Sequence, residues 1–201
     1  MKYSFLSGVA ALLLAVTAQA SHNHVTVSPM LELFGSGNIP AADDQSTLSR
    51  KFRFIDVEVD TSGLDALNSY TIWAFIFNAP EFCASSPCSL ADAAFSPGHD
   101  PRVRSSGVFA TGGVADADGH GLFLGEVWKA NQGVTGAQVL FGPGLLDTRK
   151  AEIHIVVRSH GQPTDDADFF ASIASFTGGC NDANAVQPPC EDQQISVHTA
   201  N

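Results

Sequence analysis

The chain has 201 residues, four cysteines and a formal net charge of −11 at pH 7, from 21 acidic against 10 basic side chains. That balance lacks the clustered Lys and Arg on which phosphate-backbone binding draws, and it argues equally against docking on anionic lipid, so no nucleic acid is expected as a partner. The length suits one ordinary domain with its own core.

The N-terminus reads as a secretory signal over residues 1–20. Lys2 is the positive n-region, Val9 to Val16 the apolar h-region, and Ala18-Gln19-Ala20 an A-x-A cleavage site. The apolar run is too short to span a bilayer comfortably, and no later segment provides a membrane span. The expected mature chain is 21–201, a single β-sandwich domain that is secreted or periplasmic. It begins Ser21-His22-Asn23-His24, where a free amine and two imidazoles offer nitrogen donors that suit Cu(II) or Zn(II). The alternative for the same tail is a disordered terminus whose histidines do nothing, as is common at domain ends.

Strand character follows in short segments. Val25 to Leu33 alternates partly. Phe52 to Asp60 places Arg53, Ile55, Val57 and Val59 on one face and Asp56, Glu58 and Asp60 on the other. Tyr70 to Phe77 is apolar on both faces and rich in aromatic and β-branched residues, as a buried central strand requires. Val108 to Val114, Gly121 to Trp128, Gln138 to Phe141, Ala151 to Arg158 and Gln194 to His198 complete the set. Asp116-Ala117-Asp118-Gly119 reads as a hairpin connection, and Gly142-Pro143-Gly144 and Gly161-Gln162-Pro163 break the chain. Helix is expected only as a turn around Leu90 to Phe95 and over Asp165 to Ile173. Many short strands between Gly/Pro turns predict an all-β antiparallel sandwich or barrel.

Cys83, Cys88, Cys180 and Cys190 form an even set in an exported chain, which points to disulfides. Both close pairs are flanked by turn residues, so Cys83–Cys88 and Cys180–Cys190 are the favoured bridges. A four-Cys zinc site is the rival, but neither pair has the C-x₂-C spacing of a knuckle.

The segment Ala151-Glu152-Ile153-His154-Ile155-Val156-Val157-Arg158-Ser159-His160 carries the main chemical interest. Alternation turns Ile153, Ile155 and Val157 to a core and Glu152, His154, Val156, Arg158 and His160 to the opposite face, read as a mainly ionisable surface. Glu152 and His154 are two positions apart, about 7 Å along the strand, so a neighbouring strand could complete a carboxylate–imidazole metal or acid–base site. His198 and His120 are the candidates to approach His154; Glu126 shares the strand face of His120. His154 and His160 stand about 20 Å apart in an extended strand, too far for one zinc ion. Arg158 could grip a carboxylate, most simply in a surface ion pair. The metal candidates are therefore His154, Glu152, His198, His120, His22 and His24, with copper or zinc as the ion. Asp116-x-Asp118-Gly119 lacks the full calcium-loop pattern, and no nucleophile elbow, P-loop, His-Glu-x-x-His run or dinucleotide fingerprint occurs.

Three stretches carry a family resemblance: Trp73-Ala74-Phe75-Ile76-Phe77-Asn78-Ala79-Pro80-Glu81-Phe82-Cys83, Gly142-Pro143-Gly144-Leu145-Leu146-Asp147, and Ala151 to Gly161. Cys190-Glu191-Asp192 followed by Ser196-Val197-His198 extends it. In this order they resemble secreted bacterial proteins related to the chordin-type (CHRD) domain. The resemblance implies an immunoglobulin-like β-sandwich in an extracellular setting and brings no catalytic residues. The resulting expectation is a disulfide-stapled binding or envelope structural module with an unidentified extracellular ligand. A copper- or zinc-binding protein or metalloenzyme using His154 with other histidines is the alternative, and a hydrolase assembled only in three dimensions is a third.

Overall fold

The computed structural model describes residues 24–130, 138–163, 165–178, 180 and 190–200. In chain order the strands are β1 (His24–Pro29), β2 (Leu31–Glu32), β3 (Gln45–Arg50), β4 (Phe54–Thr61), β5 (Ser69–Phe77), β6 (Ser105–Val114), β7 (Gly121–Trp128), β8 (Val139–Phe141), β9 (Glu152–Ser159) and β10 (Glu191–His198). One short helix, α1 (Asp166–Ser172), starts on Asp165, whose carboxylate accepts the Asp168 N–H. Short 3₁₀ turns cover Pro80–Phe82, Leu90–Asp92 and Pro101–Val103.

Two antiparallel sheets result, one ordered β1-β3-β4-β7 and the other β2-β10-β9-β5-β6-β8. Alternation assembles the space between them. β4 buries Ile55, Val57 and Val59, and these meet Ile72, Ala74 and Ile76 of β5 and Ile153, Ile155 and Val157 of β9 in one apolar cluster. The protein is an all-β sandwich.

β5 and β9 lie in the middle of the larger sheet, and their second faces are also covered. Trp73, Phe75, Phe77 and Val156 pack with Cys88, Val103, Phe109, Phe141 and Phe176 in a second cluster. The covering comes from the loops after β5 and around α1. This corrects the reading of Glu152 and His154 as a surface: they are only 3% and 7% exposed. Loops without regular structure, which alternation cannot reveal, roof that face.

Three further differences from the sequence reading have local causes. Val25 to Leu33 is not one strand: the chain breaks at buried Met30, leaving β1 in the smaller sheet and β2 in the larger. The Asp116–Gly119 segment does turn sharply, because Asp116 Oδ1 accepts the N–H groups of Asp118 and His120. It is not a hairpin, however. The turn carries the chain from β6 in one sheet to β7 in the other. Finally, β3 escapes hydrophobic patterning because its inward residues are Ser46, Leu48 and Arg50.

Arg50 is fully buried and has no carboxylate partner among the described residues. Its Nη1 donates to the carbonyls of Thr148 (2.8 Å) and Ala151 (2.9 Å), and its Nη2 reaches those of His198 and Thr199. Desolvation lowers its pKa from the usual arginine value, yet a guanidinium stays charged. Four carbonyls from two chain segments thus converge on one cation. Removing it would orphan buried carbonyls and leave a cavity, so Arg50→Ala is expected to cost about 3–4 kcal/mol. A urea midpoint equal to the parent's would contradict this role.

Candidate functional site

β9 lies between β10 and β5, with His154 paired opposite Val197 and Phe75. On the outer face of that central strand, His154 Nε2 is 2.8 Å from Glu152 Oε1. The same oxygen accepts the Cys88 N–H at 2.6 Å. Glu152 therefore ties the Cys83–Cys88 loop down over the sheet, and the disulfide is formed. The Phe77 ring lies 5.0 Å from the imidazole, centroid to centroid.

With the Glu152 carboxylate as acceptor, Nε2 bears a hydrogen. Among the described residues Nδ1 has no hydrogen-bond partner. His154 is among the residues lining a hollow of about 400 Å³ whose walls also include Phe75, Phe77, Leu90, Val156, Ile195 and Val197. Leu33 and Phe34 from the end of β2 and Asp192 from β10 also border it. Phe34 and Leu90 are exposed apolar side chains on its border. The site is an apolar depression with one imidazole, that of His154, among its lining side chains.

The other sequence candidates do not join it. His198 pairs with Ile153, one residue out of phase with His154, so it points to the opposite face of the sheet. There Thr26 Oγ1 is 2.9 Å from Nδ1 and Ser46 Oγ 2.7 Å from Nε2. The expected His154–His198 grouping is thus corrected by strand parity. His120 lies at the other sheet, where its Nε2 is 2.7 Å from Asp60 Oδ1. Glu126, on its strand face, instead accepts the Trp128 indole N–H. His24 opens β1, paired opposite Arg50 across the strands; His22 lies outside the described residues. Arg158 pairs with Asp192 at 2.6 Å, partly buried rather than on the surface, and stacks over Phe176.

Sequence reasoning missed the role of His160. Its Nδ1 is 2.7 Å from Gly178 O and 3.1 Å from Cys190 Sγ, and its Nε2 is 2.7 Å from Thr71 Oγ1. The Cys180–Cys190 disulfide is formed at this imidazole. Among the described residues, His160, Cys180 and Cys190 are the one group of three metal-type donors within reach of one another. Both sulfurs are spent in the bridge. No spacing links position 160 to positions 71, 178 and 190 beforehand.

Burial pushes both His160 and His198 down to about 4. For His160 desolvation dominates, against the Gly178 carbonyl, which favours the charged ring; Arg158 disfavours it and Asp192 and Asp168 favour it. For His198, desolvation comes first, followed by the nearby Arg50 charge. Both rings are neutral at pH 7.

No protein-family model, curated protein or solved structure matches the chain. The site must be read from its own atoms.

Among the described residues no helix is long and apolar enough to cross a membrane. The two disulfides fit an oxidising, extracytoplasmic compartment.

Proposed function

We propose that the protein is an exported binding module that takes a small, mostly apolar molecule in the hollow on the outer face of β9. What supports this reading is an apolar depression lined in part by His154, whose Nδ1 has no hydrogen-bond partner among the described residues. Small-molecule sites characteristically combine mainly apolar walls with a few placed polar groups, in about 300–1,000 Å³. The ligand would lay its apolar body against Phe75, Val156 and Ile195 and direct one hydroxyl or N–H to His154. Glu152 would hold the ring's orientation and tautomer. The likeness to secreted CHRD-related proteins and the signal-like N-terminus support export and an extracellular ligand. No reaction is needed to account for these residues.

A matched pair of probes tests the reading: 2-naphthol and its methyl ether, which lacks the donor hydrogen. Titration by intrinsic fluorescence or calorimetry should give saturable one-site binding, tighter for naphthol. His154→Ala should weaken naphthol about tenfold, the worth of one hydrogen bond, and bring the two probes level. Leu90→Asp, at the border and away from the core, should weaken both. Absence of saturable binding, or a naphthol preference that survives His154→Ala, would overturn the proposal.

A further inference from the structure

We propose that the Cys180–Cys190 bridge is a thiol–disulfide exchange site, at which a dithiol attacks Cys180 and the His160 N–H receives the departing Cys190 sulfur. This inference is independent of the hollow.

The hydrogens of the site can be assigned one by one. The Trp73 indole only donates, and its Nε1 is 2.9 Å from Thr71 Oγ1. The Gly178 carbonyl only accepts, so His160 Nδ1, at 2.7 Å from it, bears the ring hydrogen. Nε2 is then the acceptor, and the Thr71 hydroxyl donates to it. Trp73, Thr71 and His160 form one directed chain that fixes an N–H towards the bridge. The imidazole is buried, which holds that orientation.

The two sulfurs are not equivalent to this N–H. Cys190 Sγ lies 3.1 Å from Nδ1 and Cys180 Sγ 3.8 Å. Cys180 Sγ instead has the carbonyl oxygens of Phe176 at 3.5 Å and Gly178 at 3.6 Å, whereas among the described residues Cys190 Sγ has that of Gly178 alone. Negative charge is therefore better accommodated on Cys190. A disulfide sulfur is a weak acceptor and a thiolate a strong one, so the shared N–H strengthens its bond to Cys190 as the bridge opens. A leaving thiolate stabilised in this way leaves faster. Arg158 adds little competing charge, because Asp192 pairs with it.

Both cysteines are partly exposed. The attacking thiolate bonds to Cys180 Sγ, and the electron pair of the S–S bond departs on Cys190 Sγ. The second thiol of the reagent then displaces Cys180. The dithiol ends as a cyclic disulfide, oxidised by two electrons; the protein gains two electrons, and the two thiol protons pass to its cysteines. The Cys83–Cys88 bridge provides an internal control. Its Cys88 is buried with Sγ 3.9 Å from the Pro80 carbonyl, and among the described residues no ring N–H stands at hydrogen-bond distance from either sulfur.

The test treats the native full chain with dithiothreitol, quenches by alkylation, and follows each bridge by peptide mass mapping. Cys180–Cys190 should open at least about tenfold faster than Cys83–Cys88. His160→Ala should slow it about tenfold without changing Cys83–Cys88, and His160→Gln, which keeps an N–H donor, should restore part of the rate. Glutathione, a monothiol, should be trapped on Cys180 with Cys190 free. That experiment uses the unaltered chain and so does not depend on variants that fold. Earlier opening of Cys83–Cys88, glutathione on Cys190, or an unchanged rate in folded His160→Gln and His160→Ala would each overturn the assignment.

Discussion

Ile155→Asp is expected to abolish cooperative folding. Ile155 is fully buried on β9, paired with Ser196 of β10 and Ala74 of β5, and faces the cluster shared by both sheets. A carboxylate there would lose the apolar contacts of isoleucine, typically worth about 2–5 kcal/mol when truncated, and would itself be buried without a partner. Together these exceed about 5 kcal/mol, against a total stability of about 5–15 kcal/mol for a domain. Ile155→Val, which keeps the shape and removes one methylene, should cost only about 1 kcal/mol. Urea denaturation followed by circular dichroism separates the two. Parent-like stability in Ile155→Asp would contradict the placement of β9.

Mild acid should destabilise the protein well before its carboxylates protonate. His160 and His198 have folded-state values of about 4, against about 6.5 in an unfolded chain. Between these limits the unfolded state binds protons that the folded state refuses, so stability is full above pH 6.5 and falls as the pH drops towards 4. Each ring contributes about 3 kcal/mol over that window, and the pair about 6 kcal/mol if they act independently. Asp44 and Asp92, both held below the usual carboxylate range by hydrogen bonds despite their burial, extend the loss at still lower pH. Urea midpoints at pH 7, 5.5 and 4.5 measure the slope. Replacing either histidine by glutamine should reduce it by about half. A midpoint unchanged between pH 7 and 4.5 would contradict neutral burial of the two rings.

Much of this architecture is legible in the chain because two-residue alternation is a strong signal where small sheets meet. Ile55-x-Val57-x-Val59 and the unbroken apolar run of β5 announce one-sided and two-sided burial respectively. The two disulfides are legible from spacing and turn chemistry. β3 is not, since serine and arginine face inward only because partners 98–152 residues away receive them. The site divides in the same way. The Glu152–His154 contact follows from their place on one strand face, but the hollow depends on a roof supplied by the Cys83–Cys88 loop. The His160 cluster joins four separate segments, which a single sequence does not connect.

The break at Met30 has a consequence for how synthesis must proceed. Among the described residues β2 has β10 as its one sheet neighbour, and Leu33 N–H is bonded to Gln193 O. β1 meets the same last strand, through Thr26 with His198 and Ser28 with the Val197 carbonyl. The sequence separation in the first of these contacts is 172 residues. At ordinary elongation rates the N-terminal segment would therefore wait roughly ten to thirty seconds for its partner to be made. Until β10 arrives, β2 has no ladder to join and the polar inward side of β1 has nothing to bond. A chain lacking β10 would leave β9 as an open edge of the larger sheet and β2 without a ladder, so closure of the sandwich waits for that strand.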